Sequence, residues 1–495
     1  MIFDRQAPPQ GTVRDWLDVR AQKGGTAVVF PETGDSLTWS TLRDEARLIA
    51  RKMSASGITK GESVAIIQPN GREGLVATFA SLYGGFRTTM INLAAGPDAI
   101  SYALEHSGAR FACVHGSQSD TFDKIAPRGV ARLELDQIDT SADLEPLASD
   151  DHALLMYTSG TTGKPKGVVH THSSLLAGGW TTTLAHSLTV HDRGLCVLPI
   201  YHINGLCVSV MGALVSGGSL AMISKFSASK FWAQIENGHA TWFSVVPTII
   251  SHLLHGATDP QPESRDRLRF GRSASSALAI ETQSAFEARF GVPIIETMGL
   301  TETAAQILSN PFPPSMRKIG SSGVACGNEV QVMTPDFTEV ARGEEGEITV
   351  RGPNVMREYL HNPDATAATF AGDWLRTGDL GRMDEDGYVF VTGRLKELII
   401  KGGENIAPRE IDEVLYSHND IVEAAAFARP CPKYGERVEA AVAVRHGSNL
   451  VETELLSLCV DRLGAFKSPD RIHFMTELPK GPSGKIQRLK LSELL

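Results

Sequence analysis

Thr158–Gly167 reads TSGTTGKPKG, between an apolar run, Ala153–Tyr157, and a helix-like segment that starts at Ser173. Seven of its ten residues are Gly, Ser or Thr, two are Lys and one is Pro. Glycines let backbone N–H groups surround an anion, hydroxyls add donors and lysines add charge. A stretch of this composition alone also suits a flexible surface loop; the strand before it and its paired lysines favour a phosphate cradle. The spacing is not that of a Walker A loop, because Gly160 and Gly163 are too close and Lys164 is followed by Pro165.

Outward from this loop, strand and helix patterns alternate. Ser63–Gln68, Arg110–His115, Gly194–Pro199, Leu268–Ser273 and Val292–Glu296 are short apolar runs that predict buried strands. Leu42, Ala46, Ile49, Ala50 and Met53 recur at helical spacing, and Ser229–Asn237 and Thr282–Phe290 predict further helices. The alternation predicts an α/β fold with a largely parallel sheet. Ser117–Asp151 reads as a surface connection, and His170 and His172 as polar surface in a turn. After Gly320 the texture shifts to short alternating strands at Glu329–Met333, Gly346–Arg351 and Gly387–Val391, a small β subdomain. Past Arg394 a compact α/β unit is expected, with helices at Pro408–Tyr416 and Glu452–Leu463 and strands at Val422–Phe427, Ala440–Val444 and Arg471–Met475. The predicted division is a multi-subdomain α/β domain over 1–394 and a small α/β domain over 395–495.

With 495 residues the chain exceeds one hydrophobic core. Its net charge of −10 argues against a nucleic-acid coat or a membrane-surface role, which need a basic patch. Six scattered cysteines without a C-x-x-C pair predict reduced thiols, and the histidines show no H-E-x-x-H spacing. The start, MIFDRQAPPQ, lacks a signal-peptide pattern, and Leu195–Ile223 is broken by His202, Asn204 and glycines, so it reads as buried core. The expectation is a cytoplasmic protein with small-molecule partners, no nucleic acid and no membrane; the oligomeric state is left open, a homodimer included.

Further motifs follow in order: Gly299–Glu302 (GLTE), Thr377–Asp379 (TGD), Gly393–Lys396 (GRLK), Lys401–Ile406 (KGGENI) and Pro479–Lys485 (PKGPSGK). Together with Tyr157–Gly167 they resemble the acyl-adenylate-forming superfamily over nearly the whole chain. That family comprises acyl-CoA synthetases, peptide-synthetase adenylation domains and beetle luciferases. The resemblance implies an AMP-forming acid–thiol ligase that uses ATP, Mg²⁺ and coenzyme A. In such a reaction a carboxylate attacks the α-phosphorus of ATP and a thiol then takes the acyl group. Bringing like charges together calls for a divalent metal and cations aimed at the developing charge.

The resemblance further implies roles for individual residues. Thr158, Ser159, Gly160, Thr161, Thr162, Gly163, Lys164 and Lys166 would hold phosphates. Thr301 would contact the α-phosphate and Glu302 the Mg²⁺, although an isolated Thr-Glu pair also suits a helix cap. Asp379 would accept from the ribose hydroxyls with Arg394 beside it, or serve as a turn residue. Ser275, Thr297 and Met298 would lie against the nucleotide, Met298 standing where the family usually has an aromatic. Lys485 would be the mobile catalytic lysine, reaching both the carboxylate and the phosphate, and Lys396 the hinge of a swinging C-terminal domain. Gly402, Gly403 and Glu404 would line a pantetheine tunnel. His202, in YHINGL, would stand where acyl and pantetheine sites meet, the other reading being a core histidine. Ser273 and Gly299 would border the acyl pocket.

Ala240–Ile249, Phe226–Trp232, Leu268–Ala279, Lys396–Ile399, Cys431–Glu436 and Gly484–Arg488 are similar to small-acid CoA ligases, oxalyl-CoA synthetases in particular, from which Asn204 and Met298 depart. Arg272 adjoins the acyl-pocket loop. A buried guanidinium needs a partner, either a second anionic group on the substrate or a structural carboxylate. A short dianionic acid of the oxalate, malonate or sulfoacetate type is therefore expected. A medium-chain or aromatic acyl-CoA synthetase, or an adenylating enzyme with another acceptor, is the alternative.

Overall fold

In a computed structural model of the chain, residues 3–134, 142–158, 165–256, 258–481 and 485–495 are described. Four sheets organise them. A nine-stranded sheet has a parallel centre in which Thr26–Phe30, Ser219–Met222, Arg193–Cys196, Trp242–Val245, Phe270–Ser273 and Ile294–Leu300 lie side by side. A seven-stranded sheet runs Glu358–Tyr359, Lys166–Thr171, His152–Thr158, Arg87–Met90, Ser63–Ile67, Phe111–Val114, Ala131–Arg132. Ser63–Ile67 is buried at every position, as its unbroken apolar run requires of a strand covered on both faces.

The helix His172–Ala185 packs between elements of both sheets. Leu175 and Leu176 on it are wholly buried, each contributing roughly 1.5–3 kcal/mol. A Cβ on Gly178 would meet the Ala304 carbonyl at 2.4 Å and one on Gly179 the Met211 carbonyl at 2.6 Å. Glycine at these positions lets the helix approach two backbone segments that border the functional cleft.

The β subdomain is a five-stranded antiparallel sheet of Glu329–Met333, Glu345–Arg351, Trp374–Met383, Phe370–Ala371 and Val389–Arg394. The last C-terminal hundred residues carry their own sheet, centred on the hairpin Ile421–Cys431 and Gly435–Val444, with a core around Ile411, Leu415, Val438 and Val442. This unit docks on the rest through Ser251 Oγ, which donates to the Val422 carbonyl at 2.7 Å, and through Arg409, which donates to the Val391 carbonyl.

Most expected elements form within two or three residues of their predicted ends, and three readings change. Ser117–Asp151 contains a helix, Ser119–Ile125. Inside Leu195–Ile223 lies a π-helical segment, Asn204–Met211, a form that often marks functional sites. His170 and His172 are fully buried, not surface. They terminate a buried strand and open a buried helix, and each ring is hydrogen-bonded to a distant segment. Among the described residues, no helix is long and apolar enough to cross a membrane.

Candidate active site

Two joined chambers lie where the large sheets, the β subdomain and the C-terminal unit meet. One, of about 500 Å³, is lined by Thr158, Lys166, His202, Asn204, Thr301, Glu302 and Lys396 among others. The other, of about 200 Å³, is lined by Ser276, Thr297, Met298, Asp379, Arg409 and Glu413 among others. Ser275, Gly299, Arg394 and Lys485 border both, so the chambers form one cleft.

Its floor is a tight hairpin. Ile294–Leu300 pairs antiparallel with Ala305–Ser309, with a register break at Met298/Gly299, and Thr301–Thr303 forms the connecting turn. Ala304 and Ala305 take positive φ of 44° and 82°, conformations that cost non-glycine residues energy and concentrate at functional sites. A Cβ on Gly299 would lie 1.5 Å from the Ala305 carbonyl oxygen, so glycine is obligatory there. The turn is tied down from three sides. His170 Nε2 donates to the Thr301 carbonyl at 2.6 Å, which fixes its proton on that nitrogen, while Nδ1 lies 3.0 Å from Ser174 Oγ. Met356 N donates to the Glu302 carbonyl at 2.7 Å, and Asn354 Nδ2 to the Thr303 carbonyl at 2.8 Å. Burial pushes His170 down to about 4, so the ring is neutral at physiological pH.

Tyr359 was invisible to motif reading, yet its hydroxyl donates to Glu302 Oε1 at 2.8 Å. Burial, then the Glu302 charge, holds the phenol well above its usual range. The Lys166 ammonium sits 4.5 Å from the centre of the same ring. A tyrosine on a short edge strand gives no sequence signal for a partner 57 residues away.

Across the cleft, Arg394 Nε and Nη2 donate to Asp379 Oδ1 and Oδ2 at 2.6 and 3.2 Å. Burial opposes the Arg394 charge, but Asp379 outweighs it and holds the guanidinium above its ordinary value. Opposite register on neighbouring strands sets this pair, Asp379 facing Arg394. Lys485 comes from the C-terminal unit. Burial, then Arg394, lowers its pKa, opposed by Glu397 and Asp379. Lys396, on the connection between Val389–Arg394 and the Ile399–Lys401 strand, is lowered by burial, Lys166 and Arg394. Four cationic side chains, Lys166, Arg394, Lys396 and Lys485, thus meet in a cleft that Glu302, Asp379 and Glu397 also line, an arrangement suited to a polyanion.

At the other end, His202 packs on the Tyr201 ring at 5.0 Å, and Asn204 opens the π-helical segment. Ser275 takes a φ of 75°. Ser273 is fully buried, its carbonyl accepting from Thr297 Oγ1 at 3.3 Å. Met298 is on the cleft wall and belongs to the apolar cluster with Val168 and Ile307. Arg272 lines neither chamber. It lies behind Asn204 with neutral oxygens as partners, so neither direct exposure to a substrate anion nor a structural carboxylate describes its surroundings. The sequence places it correctly beside the pocket loop, but strand alternation turns its side chain inward.

Gly402, Gly403 and Glu404 form an exposed turn with positive φ at both glycines, and they line neither chamber. Of the stretch expected to cradle phosphates, Thr158 and Lys166 border the cleft; Ser159, Gly160, Thr161, Thr162, Gly163 and Lys164 lie outside the described residues.

Comparison with known proteins gives consistent results. A family profile described as AMP-binding enzyme matches residues 16–360, and one described as AMP-binding enzyme C-terminal domain matches residues 410–485. A sulfoacetate–CoA ligase of Cupriavidus necator is 43% identical over 479 residues, 94% of each chain. An oxalate–CoA ligase of Arabidopsis thaliana is 34% identical over 475 residues, 92% of each. The crystal structure of ATP-bound MatB from Rhodopseudomonas palustris superposes with a TM-score of 0.89 at 29% identity, covering 98% of this chain and 99% of that one.

Proposed function

The chain belongs to the AMP-binding enzyme family and is an AMP-forming acid–CoA ligase of small acids; within that class we propose that its substrate is a short acid bearing a second negative charge, sulfoacetate foremost, with oxalate and malonate as the nearest alternatives. The observation that carries this reading is the convergence of Lys485, Asp379–Arg394 and Thr301–Glu302 on one cleft, at whose other end His202, Asn204 and Ser275 stand among Leu198, Ile203 and Val246, with a buried guanidinium behind Asn204. The printed name of the 43% identical relative supports the choice of sulfoacetate. A medium-chain or aromatic acid would bring no second charge to offset the buried guanidinium.

The chemistry follows from the groups present. A substrate carboxylate oxygen attacks the α-phosphorus of ATP, and the bond to pyrophosphate breaks. The Lys485 ammonium, at the junction of the chambers, neutralises charge as the two anions approach. Asp379 receives the ribose hydroxyls while Arg394 holds it in place, and Lys166 and the Thr158 hydroxyl face the phosphates. Glu302, with threonine hydroxyls beside it on the wall, offers the oxygen donors a Mg²⁺ ion takes together with nucleotide phosphates. That ion supplies charge neutralisation of the leaving pyrophosphate. In the second half-reaction the coenzyme A thiol attacks the acyl carbonyl carbon and AMP leaves, with His202 flanking the reacting carbon. Gly402, Gly403 and Glu404 come to the cleft by rotation of the C-terminal unit about Lys396, which carries Lys485 away.

The test is pyrophosphate release across a panel of short mono- and dicarboxylates and sulfonates, with and without coenzyme A. Acid-dependent pyrophosphate and an acyl-CoA product, best with a dianion, are expected. Release of orthophosphate, or preference for a monoanionic medium-chain or aromatic acid, overturns the reading.

A further inference from the structure

Arg272 is among the largest fully buried side chains of the protein, at 1% exposure. Its Nη1 donates to Asn204 Oδ1 and Ser244 Oγ, both at 3.0 Å, and its Nε to Gln306 Oε1 at 3.3 Å. Every one of these acceptors is neutral, and among the described residues no carboxylate reaches ion-pair distance of the guanidinium. His186, whose Nε2 lies 3.2 Å from the same Gln306 oxygen, adds no charge, because burial and then Arg272 hold it well below its ordinary pKa. The cluster therefore carries one positive charge that the fold leaves unneutralised, which is costly in a buried position.

The same contacts settle which way the Asn204 amide points. Its Oδ1 receives two donors, Arg272 Nη1 and Ser244 Oγ at 3.1 Å. A guanidinium only donates, so the reversed amide would set N–H groups against N–H groups. The NH₂ is thus committed to the cleft side, where, among the described residues, its one contact is a long 3.5 Å approach to Ser275 Oγ.

We propose that Asn204 is the specificity-determining residue for the acid's second anionic group, donating its amide N–H to it, and that Arg272 is the positioning residue that locks this amide and sets its uncompensated charge behind it. The inference rests on the acid–CoA ligase reading above. The recognised chemistry is a compact oxyanion, sulfonate or carboxylate, close to the reacting carboxylate.

The experiment compares sulfoacetate with methylsulfonylacetate, which has nearly the same shape and one charge fewer, in the full-length enzyme. Asn204→Asp keeps the side-chain shape, removes the donor and places a carboxylate against Arg272, so the cluster neutralises itself. The ratio of kcat/KM for sulfoacetate over methylsulfonylacetate is expected to fall by about 30-fold or more, the scale of one charge-assisted hydrogen bond. The KM for the acid carries the change, and the KM for ATP moves by less than about threefold on that same scale. Arg272→Gln, which keeps hydrogen-bonding capacity without charge, is expected to lower the ratio, and Arg272→Lys to recover part of it. If Arg272→Gln does not fold, Asn204→Asp still decides. An unchanged ratio in Asn204→Asp overturns the inference. So does a wild-type enzyme that uses both acids equally well, a result that leaves the ligase reading standing. Pyrophosphate release with neither acid nor any other on the panel overturns the ligase reading itself.

Discussion

Replacing Tyr359 by Phe removes a single oxygen, the one that donates to Glu302 Oε1 at 2.8 Å. Tyr359 is buried while Glu302 borders the cleft, so a water reaching Oε1 from the cleft would not restore the fixed direction of the phenol's bond. A hydrogen bond to a charged group is worth about 1.5–3 kcal/mol, and a partner orienting a metal-binding carboxylate typically contributes about 10–100-fold in metal affinity or activity. The ring remains, so the Lys166 ammonium keeps its aromatic contact and the apolar packing around Met356 and Val168 is conserved. The effect should therefore concentrate on the Mg²⁺·ATP side of the reaction. Pyrophosphate release titrated with Mg²⁺ at fixed ATP is expected to need about 10–100-fold more metal in Tyr359→Phe, with the KM for the acid nearly constant. The thermal midpoint should move by no more than a few degrees, since a loss of about 1.5–3 kcal/mol is spread over a large chain. An unchanged Mg²⁺ dependence would refute the view that Tyr359 orients Glu302 for the metal. An equal loss for acid and metal would point to a general collapse of the hairpin.

Three other outcomes are expected. Gly299→Ala drives a methyl into the Ala305 carbonyl, which lies on a hairpin already strained at two positive-φ residues; a loss of about 2–4 kcal/mol in chemical denaturation and of ATP binding should follow, and wild-type stability would contradict the packing argument. Glu296 is buried with Oε1 accepting from Leu278 N at 3.2 Å, and burial, against the pull of Arg409, raises its pKa from 4.5 to about 7. The folded protein holds that proton more tightly than the unfolded chain, so this contribution to stability is complete below about pH 4.5 and is lost as pH rises through 7. Glu296→Gln should remove a slope of about 3 kcal/mol between those limits, measured as the difference between the two denaturation profiles. Lys485, lowered by burial and then by Arg394, must be charged to assist adenylation. The alkaline limb of kcat/KM for pyrophosphate release should therefore fall below the ordinary lysine range and vanish, together with most activity, in Lys485→Met.

How much of this was legible beforehand differs by residue. Alternating apolar runs gave the parallel strands and the helix Pro408–Tyr416, because periodicity reports which face of an element is covered. Gly299 could be read as part of a motif, but its necessity lies in a carbonyl six residues on, brought against it by a register break. His170 and His172 read as polar surface and are buried, because Ser174 is the local partner of His170 while the contacts that hold the rings inside come from the distant Thr301 and Val13.

By itself the sequence determined the chemistry. The composition of Thr158–Gly167 and the motifs around Glu302, Asp379, Arg394 and Lys485 each carry a local demand for glycine, hydroxyl or charge that survives without coordinates. Only the tertiary structure decided how those demands combine. It brought Lys485 from a separate unit to the junction of the chambers, set Tyr359 on Glu302, and surrounded Arg272 with neutral oxygens behind Asn204. The reason is physical: composition and period fix what a segment can bind and which face it buries, while the sign and direction of a buried group's partners depend on registers and packing between segments far apart in the chain.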